Sequence, residues 1–125
     1  MPDKVMTKQE IQKLVELGLE ANGCNKENSS AVARTIASAE LDGCAAHGLF
    51  RMPGYVASLR SGKVNGNASP VVSRLSPGVV KVDGDHGYAP LALEKGREAL
   101  IQATQENGIA AMAVSYTHLT LPTKA

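Results

Sequence analysis

The feature that most constrains this chain is a change of hydrophobic period at Val71. Before it, apolar residues recur every three or four positions, as they do along one face of a helix. After it they come in short runs separated by turn residues, as in strands, with one further helical stretch between them. The order is therefore helical first, then β, α and β. That pattern suggests an α/β assembly with an N-terminal helical lead-in.

The local signals place each element. Thr7 with Glu10 three residues later forms a capping box, and Ile11, Leu14, Val15 and Leu19 follow at helical spacing until Gly23. A second helix runs from about Asn25 or Asn28 to Leu41, with Val32, Ile36 and Ala39 on one face, and Gly43 ends it. Faces this rich in small residues suggest two antiparallel helices in close contact. A third helix carries Met52, Val56 and Leu59 and stops at Gly62. Because Pro53 is tolerated only in a first turn, this helix should begin near Leu49 or Phe50. The segment from Lys63 to Ser69 reads as a polar loop.

Val71, Val72 and Leu75, then Pro77-Gly78, then Val79, Val80 and Val82 read as a β-hairpin. Asp83-Gly84-Asp85-His86-Gly87 is a turn-rich loop. Pro90 suits the first turn of a fourth helix bearing Leu91, Leu93, Ala99, Leu100 and Ala103, closed by Asn107-Gly108. The apolar run from Ile109 to Val114 is expected to be a strand buried in a sheet covered on both faces.

Composition excludes several classes. The 125 residues suffice for one compact unit, and 43% hydrophobic with 20% charged residues is a globular balance. Thirteen basic against twelve acidic side chains leave no electrostatic footprint for nucleic acid or an anionic membrane. One Phe, three Tyr and no Trp make a base-stacking platform improbable. There is no apolar run of the roughly 18 residues a membrane span requires, and the N-terminus has no apolar segment of the signal-peptide kind. Cys24 and Cys44 lack metal-type spacing and are too few for a disulfide framework, so both are expected to be buried or half-buried thiols in a reducing cytoplasm. Asp85 and His86 are adjacent but lack convergent partners. They are expected to form a tight turn that Gly84 and Gly87 permit, not a metal or phosphate site.

The stretch with chemical content runs from Leu41 to Tyr55. His47 lies between two helices beside Gly48; Arg51 follows four residues later and Tyr55 four after that. Were a helix to begin near His47, all three would project from one face, about one turn apart. An imidazole titrates near neutral pH and can give or take a proton at a carbonyl or imine. A guanidinium can hold a carboxylate through two parallel hydrogen bonds. The Tyr55 hydroxyl could add a donor or simply pack.

This stretch resembles the malate/L-lactate dehydrogenase-like family, whose signature is Ser-His-Gly followed by Arg and then Tyr. Here it reads Ala46-His47-Gly48, Arg51 and Tyr55. The resemblance continues through Leu59-Arg60-Ser61-Gly62-Lys63-Val64, Asp83-Gly84, Gly87 and Gly108-Ile109, and so covers nearly everything from Thr7 to Val114. Within the family it is most similar to the branch that reduces Δ1-pyrroline-2-carboxylate and Δ1-piperideine-2-carboxylate.

The resemblance implies a truncated oxidoreductase of non-Rossmann fold, in keeping with the lack of a GxGxxG fingerprint. His47 would donate a proton to the imine nitrogen, Arg51 would bind the substrate carboxylate, and Tyr55 would line the same site. Hydride would come from NADPH or NADH, held by segments beyond Val114. No metal is implied; a homodimer is, in the cytoplasm read above from the cysteines. A 2-hydroxy acid dehydrogenase acting on malate, lactate or ureidoglycolate would use the same His and Arg. An inactive fragment serving as a helical binding or dimerisation module is the alternative outside enzymology. Ala46 departs from the family's usual serine, so another group must set the imidazole tautomer.

Residues 1–114 are expected to form the N-terminal part of such a domain. Residues 115–125 should be foreign to it, because a loop and a covering helix should follow the strand and do not. The last ten residues also resemble the in-frame translation of a sequencing adapter, so no chemistry is assigned to Tyr116 or His118.

Overall fold

The computed structural model describes residues 4–115. The segment read as a foreign tail lies outside them except for Ser115. Two long helices come first, α1 (Lys8–Glu20) and α2 (Lys26–Leu41), then two single 3₁₀ turns (Ala45–His47 and Leu49–Arg51) and α3 (Met52–Arg60). The hairpin strands β1 (Val71–Ser76) and β2 (Val79–Asp83), helix α4 (Ala89–Asn107) and strand β3 (Ala111–Ser115) complete the described chain. The α/β reading with a helical lead-in holds.

Helix α1 starts where the capping box sets it. The Glu10 N–H donates to Thr7 Oγ1 at 3.1 Å, and the Thr7 N–H donates to Glu10 Oε1 at 2.8 Å. These bonds, the one from the Thr7 backbone foremost, hold the Glu10 carboxyl below the usual carboxylate range. One face of α1 buries Ile11, Val15 and Leu19 against Val32, Ala33, Ile36 and Ala37 of α2. The small side chains on α2 let the two helices approach closely. The left-handed φ of +99° at Gly23 turns the chain between them, and the Asn25 side chain caps α2 by accepting the Asn28 N–H at 3.0 Å.

The sheet has the order β1-β2-β3, with β1 antiparallel and β3 parallel to β2. Helix α4 makes the connection from β2 to β3 and lies on one face, packing Ala92 and Ala103 on Val80 and Val82. The approach is closest at Gly96, where a Cβ would stand 2.5 Å from Val82 Cγ2 and from Met112 Sδ. The Arg34 side chain donates to the Glu94 carboxylate from Nε at 3.1 Å and Nη2 at 2.5 Å, tying α2 to α4.

One expectation fails here. Strand β3 is not covered on both faces: Met112 and Val114 face α4, whereas Ala111, Ala113 and Ser115 are exposed and Ile109 is 80% exposed. Among the described residues only one helical layer meets the sheet, so the apolar run follows the alternation of a half-covered strand. No helix among the described residues is long and apolar enough to cross a membrane.

Candidate active site

Helix α2 ends at Leu41, and Gly43, with φ +77°, turns the chain so that the Cys44 N–H reaches back to the Ala39 carbonyl at 2.8 Å. His47 closes the first 3₁₀ turn. At Gly48 (φ −97°, ψ −137°) the helical path breaks, and the second turn begins at Leu49. The condition for His47, Arg51 and Tyr55 to share one helical face, a helix beginning near His47, is therefore not met, and the helix expected from near Leu49 or Phe50 is preceded there by a 3₁₀ turn. Arg51 ends the second turn, Tyr55 belongs to α3, and α3 itself begins at Met52 with Pro53 in its first turn.

The break has a visible cause in α2. A Cβ on residue 48 would stand within the Glu40 side chain, whose Oε2 accepts the Leu49 N–H at 2.8 Å. Helix α2 thus grips the chain midway between the two candidate residues.

Arg51 nevertheless returns to His47. Its Nε–H donates to the Ala46 carbonyl at 3.1 Å, laying the guanidinium against the turn that carries the histidine. The Nη hydrogens have no protein acceptor among the described residues, and neither ring nitrogen of His47 has a partner there. Both residues are exposed. Ala46, also exposed, offers the imidazole no hydroxyl.

Tyr55 is half-buried. Its ring meets that of Tyr88 edge-on, with centroids 5.0 Å apart and planes at 78°, and the Tyr88 hydroxyl donates to the Tyr55 carbonyl at 2.6 Å. Burial pushes the Tyr55 phenol up, and the nearby Arg51 charge draws it partly back. Arg51 thus stands close to both the His47 turn and Tyr55.

Sequence reasoning missed Glu40 and Tyr88. Each anchors the segment from another element, and the only available signal was a charged residue at the end of a helix and a tyrosine directly after a glycine turn.

The loop after β2 is a clasp. Asp85 and His86 take left-handed φ values of 55° and 57°. The Asp85 carboxylate accepts the Ser69 N–H at 3.0 Å, and the Asn65 N–H donates to the His86 carbonyl at 2.8 Å. Gly87 serves a different purpose: a Cβ there would collide with that of Ala68. With its inner side filled in this way, the loop does not fit a dinucleotide pyrophosphate. Among the described residues, no three His, Cys, Asp or Glu side chains gather as metal ligands. Of the cysteines, Cys24 is buried as expected and Cys44 is exposed, because the tight turn at Gly43 leaves Cys44 at the surface.

The described residues thus form a helical lead-in that carries an exposed His–Arg pair and is docked on a β–β–α–β unit, with no glycine-rich phosphate loop among them. The malate/L-lactate dehydrogenase family matches residues 6–121, and the chain belongs to it. The Δ1-pyrroline-2-carboxylate reductase of Ancylobacter novellus is 50% identical over 105 residues, 84% of this chain and 31% of that protein. The NADP+-linked (2R)-3-sulfolactate dehydrogenase of Chromohalobacter salexigens is 36% identical over 92% of this chain and 34% of its own length. The crystal structure of Δ1-piperideine-2-carboxylate reductase from Pseudomonas syringae superposes with a TM-score of 0.86 at 35% identity, covering 90% of this chain and 34% of that one. The chain thus spans about a third of the length of the relatives it matches.

Proposed function

We propose that this chain supplies the proton donor and the carboxylate clamp of an NAD(P)H-dependent oxidoreductase that reduces a small 2-imino or 2-oxo carboxylate. Δ1-Pyrroline-2-carboxylate and Δ1-piperideine-2-carboxylate are its first candidate substrates. The observation that carries the reading is the Arg51 bond to Ala46, which brings a guanidinium with unpaired Nη hydrogens against the turn bearing His47. In such substrates the reacting C=N carbon is bonded directly to the carboxylate carbon. A clamp and a proton donor acting on them must therefore be neighbours.

Arg51 would hold the acid group by a two-point bond. His47 would give its proton to the imine nitrogen as the carbon is reduced. Tyr55, half-buried beside Arg51, would wall the same site. NADPH or NADH belongs to the reading through the family, held by segments beyond Val114, and would supply the hydride when bound. A cytoplasmic homodimer is part of the same proposal.

A second reading is favoured by the similarity to a sulfolactate dehydrogenase: a 2-hydroxy acid dehydrogenase with a carbonyl in place of the imine. Assay of the complete enzyme, with the chain continued to the length of its relatives, separates the two. We expect NAD(P)H oxidation with the cyclic imino acids. Turnover of hydroxy acids alone would remove the imine assignment.

A further inference from the structure

We infer that Glu40 is a positioning residue for the His47–Arg51 pair, acting through the backbone of Gly48 and Leu49. The inference rests on the function proposed above and names a residue that reading does not use.

Glu40 lies in the last turn of α2, half-buried, and makes no hydrogen bond or ion pair with the imidazole or the guanidinium. Its Oε2 accepts the Leu49 N–H at 2.8 Å. That N–H opens the second 3₁₀ turn and has no acceptor within it; the residue that precedes the turn, Gly48, has no side chain to cap it. Glu40 therefore does from across the fold what a capping side chain does locally.

The same carboxylate fills the space beside Gly48. The Glu40 Cδ lies 2.5 Å and Cγ 2.8 Å from where a Cβ on residue 48 would stand. Any larger residue at that position would push Glu40 off Leu49. Glycine at 48 and glutamate at 40 are thus one device, and it sits at the bend separating the His47 turn from the Arg51 turn. On the other side of the bend, the Arg51 Nε–H bond to the Ala46 carbonyl closes the loop. With both bonds made, the angle between the two turns is fixed, and with it the separation of proton donor and clamp. Displacements of about 1 Å in such an arrangement cost on the order of 10²-fold in rate.

Steady-state kinetics of the complete enzyme with Δ1-pyrroline-2-carboxylate test this, at a temperature where every variant is folded by its melting curve. Glu40→Ala should raise KM at least about tenfold and lower kcat. Glu40→Gln keeps an oxygen acceptor and should stay within about threefold of wild type on both. Gly48→Ala should match Glu40→Ala, and the double variant should be no worse than either, because both changes remove one hydrogen bond. A folded Glu40→Ala enzyme with wild-type KM and kcat overturns the inference. So does a Glu40→Gln enzyme as impaired as Glu40→Ala, or full additivity in the double variant. A wild-type enzyme that reduces neither imino nor oxo acids is a different result: it removes the proposed function, and this inference with it.

Discussion

Arg51 reaches back across the break at Gly48 and donates from Nε to the carbonyl of Ala46, the residue next to His47, at 3.1 Å. The bond uses one of the five guanidinium hydrogens and orients the rest. A lysine could not do both jobs, since its ammonium is a point charge on a flexible stem. Arg51→Lys should therefore raise KM for the carboxylate substrate by about tenfold or more, with a smaller change in kcat. Initial-rate kinetics on the complete enzyme check this, and an unchanged KM would take Arg51 out of the site.

Ala46 leaves the His47 ring without a neighbouring hydroxyl. It is exposed, so a serine fits there without displacing anything. Ala46→Ser should raise kcat, by up to about tenfold, a fraction of what general acid–base catalysis contributes. The pH profile of kcat should shift with it. If both stay as in wild type, the imidazole is oriented by some other group.

The sheet makes its own prediction, remote from the chemistry. Gly96 is where α4 comes closest to β2 and β3, and Val82 beneath it is fully buried and stiff. Gly96→Ala gains helix propensity but must push against Val82, and should destabilise the fold by about 1–2 kcal/mol net. Denaturant unfolding measures the loss, while substrate KM should not move.

Burial separates the two thiols. It pushes Cys24 up from 9.0 to about 11, with the Glu20 charge adding to the effect, while Cys44 is exposed. Iodoacetamide at neutral pH should modify Cys44 alone in the native protein and both thiols after unfolding. The same shift sets a pH dependence. The folded state holds the Cys24 proton more tightly than the unfolded chain, so its contribution is fully present below about pH 9 and is lost as the pH rises through about 11. The Tyr55 and Tyr88 phenols are raised by burial too and act in the same direction. Alkaline unfolding should be less steep in Cys24→Ala than in wild type.

Much of this fold could be read from local physics. The capping box at Thr7 and the left-handed turns at Gly23, Gly43, Gly62 and Gly108 all stand where the sequence predicts them, because each depends on a few adjacent residues. The Pro77-Gly78 hairpin is a local feature of the same kind. What escaped was set from a distance. The bend at Gly48 exists because Glu40 packs against it from α2, and no spacing between His47 and Arg51 reveals that. The left-handed pair Asp85 and His86 is held by bonds to Asn65 and Ser69, some twenty residues earlier. For β3, an apolar run tells which residues could be covered; how many layers cover them depends on the rest of the structure.

The central claim is that His47 donates the proton while Arg51, bound to the same turn, holds the acid group. Its most direct test is kcat for Δ1-pyrroline-2-carboxylate reduction by His47→Gln in the complete enzyme. We predict a fall of about 10²–10⁴-fold with KM within about threefold of wild type. A kcat equal to wild type would contradict the account.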